Sequence, residues 1–118
     1  MSCLFNSLDF FLKEGSQDIR NKVCNYLQQD GKIMDGLSTR EILQFENNSN
    51  YIDNMRCPSV WGGAIEIQAA CNIWNIKIIV YNIRDLKNSI IEFIPINTNY
   101  TKTIKIQWNG GHYEPIQD

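Results

Sequence analysis

A single histidine, His112, occurs in 118 residues, and that scarcity narrows the chemistry. A Cys2His2 zinc site needs two imidazoles, and Cys3, Cys24, Cys57 and Cys71 form no C-x-x-C pair, so no metal is expected, and no cofactor. Four thiols are an even number, as a disulfide framework would have, but a chain this rich in large apolar residues needs no staples, and they are read as free. The longest apolar runs, such as Ile78 to Tyr81, fall far short of the roughly 20 residues that cross a bilayer. No basic region precedes an apolar one in Met1-Ser2-Cys3-Leu4-Phe5-Asn6, so neither a signal nor a transit peptide is expected, and a reducing, cytoplasmic setting follows. Basic side chains number 11 against 13 acidic, without a Lys/Arg cluster; nucleic acid is not the expected partner. Neither a repeat nor a low-complexity linker divides the chain.

Apolar residues make up 43% and charged residues 20%, the balance of a folded soluble protein. The length suits one domain over residues 1–118, expected to act as a monomer. Leu4, Phe5, Leu8, Phe11 and Leu12 recur at helical spacing until Gly15, which predicts a helix starting near Cys3. Ser16 is a suitable N-cap for a second helix carrying Ile19, Val23 and Leu27, closed by Asp30-Gly31. Ser38-Thr39-Arg40-Glu41 has the form of a capping box, with a short helix through Ile42, Leu43 and Phe45 to follow, and Asn47 to Asn50 reads as a loop. Ala64, Ile67, Cys71 and Trp74 predict a largely buried central helix.

From Ile76 the periodicity turns to that of strands. Ile76 to Tyr81, Ile90 to Ile96 and Thr103 to Trp108 are expected strands, with turns at Asn82 to Asn88 and Asn109-Gly110-Gly111. Helices first and strands last describe an α+β domain, helices packed on a small, mainly antiparallel β-sheet.

A thiol at a helix N-terminus beside an imidazolium is a competent nucleophile, and Cys3 has the predicted helix start. His112 follows a Gly-Gly pair that permits close backbone approach. Two residues on, Glu114 would share its face of a strand, with Tyr113 opposite. A carboxylate there fixes the imidazole tautomer and stabilises the imidazolium, which is the logic of a Cys-His-acid triad. Read from the residues alone, however, the commoner roles are a small packing hydrophobe for Cys3, a surface or satisfied core residue for His112, a core residue for Trp61 and a partner of the helix N-terminus for Glu66, and the triad is the minority reading. Cys24 and Cys71 fall on apolar helix faces as packing residues, and Cys57 lies in a loop beside Pro58.

Several blocks together resemble one family. Cys3 to Leu8 reads C-L-F-x-S-L, Ile19-Arg20 with Val23 follows, Trp61 to Ala69 reads W-G-G-x-I-E-I-x-A, and Gly111-His112-Tyr113-Glu114 comes late; the set resembles the ovarian-tumour (OTU) cysteine proteases across nearly the whole chain. The resemblance implies a papain-like OTU fold and a thiol-dependent isopeptidase acting on ubiquitin or ubiquitin-like conjugates, with Cys3, His112 and Glu114 catalytic. It also implies substrate-binding roles for Ser2, Leu4, Trp61, Gly62, Gly111 and Tyr113. Two departures stand out. Glu114 occupies a position where the family usually has Asp or Asn, and the family's D-G-x-C loop, which helps build the oxyanion hole, is reduced to Met1-Ser2 before Cys3. The resemblance thus leaves open an OTU-fold ubiquitin-binding module of weak or absent activity, or a viral polyprotein-processing protease. An Asn- and Ile-rich composition is compatible with an AT-rich viral or parasitic genome, for which the setting would be host cytoplasm.

Overall fold

The computed structural model describes residues 3–46, 50–84 and 89–116, without the side chains of 44–46. Leu4, Phe5 and Leu8 share one face of helix α1 (Cys3–Leu12) and are buried. Gly15 ends the connection to α2 (Ser16–Gln28), and here the structure corrects the expected cap. Gly15, at φ 91, is the N-cap and Ser16 the first helical residue. A positive φ is strained for serine and free for glycine. The Gly15 N–H donates to Asp9 Oδ1 at 2.7 Å, tying the end of α1 to the start of α2. α2 buries Ile19, Arg20, Val23, Cys24 and Leu27.

A small hairpin, β1 (Lys32–Met34) and β2 (Leu37–Ser38), turns through Gly36 at φ 85. It precedes α3 (Thr39–Glu46), where the Glu41 N–H reaches Ser38 Oγ at 3.4 Å, the backbone half of the expected capping box. Two short elements went unread in the sequence: the hairpin, whose strands are too short to display a period of two, and α4 (Tyr51–Met55), barely more than one turn. α5 (Ala64–Trp74) is the central helix, buried at Glu66, Ile67, Ala69, Ala70 and Cys71 and closed by Asn75 in the left-handed conformation.

The main sheet has the order β4-β3-β5-β6, formed by β3 (Ile76–Asn82), β4 (Ser89–Phe93), β5 (Lys102–Trp108) and β6 (Tyr113–Pro115). Two of its pairings are antiparallel, while the longest, β3 with β5, is parallel. β4 stops before the expected Ile96. Beyond Phe93, the Ile94 carbonyl accepts from Gln68 Nε2 at 2.9 Å and the Ile96 N–H donates to Asn72 Oδ1 at 3.0 Å. Side chains of α5 thus take the backbone groups that a longer strand would use.

Ile76, Ile78 and Val80 of β3 and Ile104 and Ile106 of β5 point into one core with Leu4, Phe5, Leu8, Val23 and Ile67. α5 packs on β3, α1 on β6, and α2 against both helices. The opposite sheet face carries partly exposed Lys77, Ile79, Lys105 and Gln107, giving a two-layer α+β arrangement. No helix among the described residues is long and apolar enough to cross a membrane. Cys24 and Cys71 are in the core, Cys57 is exposed and Cys3 is partly buried, all four as free thiols.

Candidate active site

α1 opens on Cys3, so the thiol sits where backbone N–H groups lack intrahelical acceptors and the helix dipole favours negative charge. Buried Ser7 donates its hydroxyl to the Cys3 carbonyl at 2.8 Å, securing that first turn. The packing of α1 on β6 brings the first helix to the last strand, as a Cys3–His112 site requires.

The loop before β6 is built by its asparagine and glycines. The Gly111 N–H donates to Asn109 Oδ1 at 3.2 Å, Gly110 takes φ 104, and the Asn109 N–H donates to the His112 carbonyl at 3.2 Å. His112 therefore stands one residue ahead of β6 rather than within it. The expected shared face survives that shift: His112 Nε2 lies 3.6 Å from Glu114 Oε1, with both side chains about half exposed. The other Glu114 oxygen accepts from Gln107 Nε2 at 3.0 Å, across the register pair Gln107↔Glu114 of β5 and β6. A carboxylate held in this way orients the ring through Nε2 and leaves Nδ1 to exchange a proton with a thiol.

Tyr113 points the other way, half-buried, its ring 6.4 Å from that of Trp108. Burial raises its phenol above the ordinary range, and negative charge on Cys3 and Glu66 raises it further.

Trp61 and Gly62 join the two halves of the site. A Cβ at Gly62 would stand 2.6 Å from Leu4 Cδ2 and 3.2 Å from Phe5 Cε2, so only glycine lets this backbone lie on α1. Trp61, 51% exposed, lays its ring edge beside Gly111, the residue before His112. Next in the chain, the Gly63 N–H donates to Glu66 Oε1 at 2.7 Å, and Tyr51 donates its hydroxyl to Glu66 Oε2 at 2.5 Å. Glu66 is thus a buried carboxylate spent on the start of α5, in keeping with the helix-terminus role considered above. Tyr51, Met55, Val60, Trp61 and Glu66 line an open cleft of about 410 Å³ beside this segment.

Of the residues implied as substrate contacts, Trp61, Gly62, Gly111 and Tyr113 gather around the Cys3 and His112 elements. Leu4 is fully buried against Gly62, so its side chain belongs to the core and only its backbone can face a substrate. Ser2 lies outside the described residues. Two residues drew little attention in the sequence. Gln107 acts across a strand pair, invisible without the register. Arg20 carried a detectable signal, a charge at apolar-face spacing from Val23, Cys24 and Leu27. It is fully buried, its guanidinium lying 4.3 Å from the centre of the Phe5 ring, and burial lowers its pKa from the ordinary arginine range.

Comparison with known proteins identifies the family. The sequence model of the OTU-like cysteine proteases matches residues 2–113. Ubiquitin thioesterase Otu1 of Drosophila melanogaster is 28% identical over 120 residues, covering 98% of this chain and 32% of the relative. Ubiquitin thioesterase otu2 of Schizosaccharomyces pombe is 30% identical over 132 residues, covering 98% and 42%. The chain spans about a third of the length of the first of these relatives. Among solved structures, an OTU domain in complex with ubiquitin superposes with a TM-score of 0.76 at 23% identity, over 97% of this chain and 62% of that one. The viral OTU domain protease from Dera Ghazi Khan virus gives 0.70 at 23% identity, over 98% and 74%. With the family's sequence model matching residues 2–113 of its 118 and the family's fold reproduced, this chain belongs to the OTU-like cysteine proteases.

Proposed function

We propose that the domain is a thiol-dependent isopeptidase that releases ubiquitin, or a modifier with a similar glycine terminus, from lysine conjugates. One observation carries the reading: a cysteine on the first turn of a helix that packs against β6, with a His–Glu pair formed by the residue just before that strand and one within it. In this reading His112 takes the Cys3 proton as the sulfur attacks the carbonyl carbon of the modifier's terminal residue. The tetrahedral intermediate collapses with cleavage of the C–N bond, and the imidazolium gives that proton to the departing lysine amine. Water then attacks the thioester, its proton passing to His112. The C–S bond breaks, freeing the modifier's carboxylic acid, which loses its proton to solvent, and leaving Cys3 and His112 as a thiolate–imidazolium pair. The Cys3 amide, in the first turn of α1, is a donor for the developing oxyanion.

Glu114 supports the imidazolium, and Gln107 holds the longer glutamate side chain in place. Trp61 and Gly111, which lie side by side, form the wall along which an extended glycine tail would lie, with Gly62 holding that backbone against α1. Relatives named ubiquitin thioesterases and an OTU domain solved with ubiquitin support the choice of modifier. Hydrolysis of a fluorogenic C-terminal amide of ubiquitin tests the reading: turnover is expected, absent in Cys3→Ala and reduced about 10² to 10⁴-fold in His112→Ala. Ubiquitin binding by calorimetry without turnover would instead identify a binding module.

A further inference from the structure

We infer that Arg20 is a positioning residue for the Cys3–His112 pair, acting through the strap 55–63, an inference that rests on the protease reading above. A guanidinium with no exposed surface is costly to bury, and its space could be filled by an apolar side chain. What an apolar side chain could not do is hold both the last carbonyl of α4 and a carbonyl of the irregular segment that follows it. Arg20 Nη1 donates to the Met55 carbonyl at 2.7 Å and Nη2 donates to the Pro58 carbonyl at 3.3 Å, while Cζ lies over the ring of Phe5, two residues beyond Cys3. One side chain thus touches both the nucleophile helix and the strap.

The strap's far end completes the connection. Gly62 lies directly on Leu4 and Phe5, and Trp61 reaches over to Gly111 beside His112. Trp61 is half exposed, so core burial does not fix its position; the backbone that carries it does. That backbone is pinned at its start by Arg20 and at its end by the Gly63–Glu66 hydrogen bond. Lysine keeps the charge of Arg20 without the planar fork, so the strap would lose its register on α1 while the charge stays. Displacements of about 1 Å at reacting groups cost up to about 10²-fold in rate.

The test is alkylation of Cys3 by iodoacetamide as a function of pH, read by peptide mass in a Cys57→Ser background that removes the exposed thiol. It needs no ubiquitin. Folded Arg20→Lys protein is expected to alkylate at Cys3 about 10-fold more slowly than wild type at pH 6 and at the same rate above pH 9.5. Trp61→Ala, outside the core, is expected to reproduce that profile, and the double variant to be no slower than the slower single one. A folded Arg20→Lys variant with the wild-type profile overturns the inference, as does a double variant in which the losses multiply. Should Arg20→Lys fail to fold, an unchanged profile in Trp61→Ala overturns it alone. Wild-type Cys3 that alkylates at pH 6 no faster than a simple thiol would contradict the protease reading instead, whatever Arg20 does.

Discussion

Glu114 illustrates how a residue's use is decided by its neighbours. The sequence places it two positions after the only histidine, and the strand period brings the two side chains together at 3.6 Å. In the proposed triad this glutamate stands where the family usually has a shorter acid, and the pairing of β5 and β6 puts Gln107 on its second oxygen. Glu114→Gln preserves length and that contact but removes the charge; kcat for ubiquitin amide hydrolysis should fall on the order of 10- to 100-fold while KM changes little. Steady-state kinetics of the purified variant check this split. At Gly62 the constraint is steric: alanine would push its Cβ into Leu4 at 2.6 Å. Gly62→Ala should cost about 1–3 kcal/mol in a urea melt and displace the start of α1, lowering activity in the remaining folded protein.

At the scale of elements, the sequence was most readable where apolar periodicity was long. α1, α2, α5, β3 and β5 lie where the spacing of Leu, Ile, Val and Phe predicted them. It was least readable where an element's limits depend on distant partners. The Gly15 cap involves Asp9, and the early end of β4 involves Gln68 and Asn72, none of which local pattern reveals. Glu66 belongs to both groups, a first-turn carboxylate by sequence and by structure the acceptor that holds Gly63 and Tyr51. Glu66→Ala should destabilise the fold by about 2–3 kcal/mol, because a helix cap is lost and a Tyr51 hydrogen bond with it. Glu66→Gln, which keeps an acceptor for Gly63, should lose less. Thermal melts of the two variants decide the order.

For the molecule as a whole, one core joins the helices to a four-stranded sheet, and two of its members are thiols. Burial pushes Cys24 up to about 11 and Cys71 up to about 12, from 9.0 for an unburied thiol. Below pH 9 both states hold these protons and stability is unaffected. Above it the unfolded chain releases them first, so the folded state binds more protons and stability falls as pH rises toward 11 to 12. Urea midpoints should therefore be level near neutrality and decline from about pH 9. The fold class and the meeting of first helix with last strand were legible from the order of elements and the family blocks; the parallel pairing of β3 with β5 and the strap between α4 and α5 were not, since both are long-range outcomes of packing. The central claim concerns the sulfur of Cys3. The most direct measurement is mass spectrometry of the intact protein after incubation with ubiquitin bearing a C-terminal electrophile. A single adduct mapped to Cys3, absent in Cys3→Ala and slowed in His112→Ala, is the predicted result; equal labelling of Cys3→Ala, or no adduct on folded wild-type protein, would contradict it.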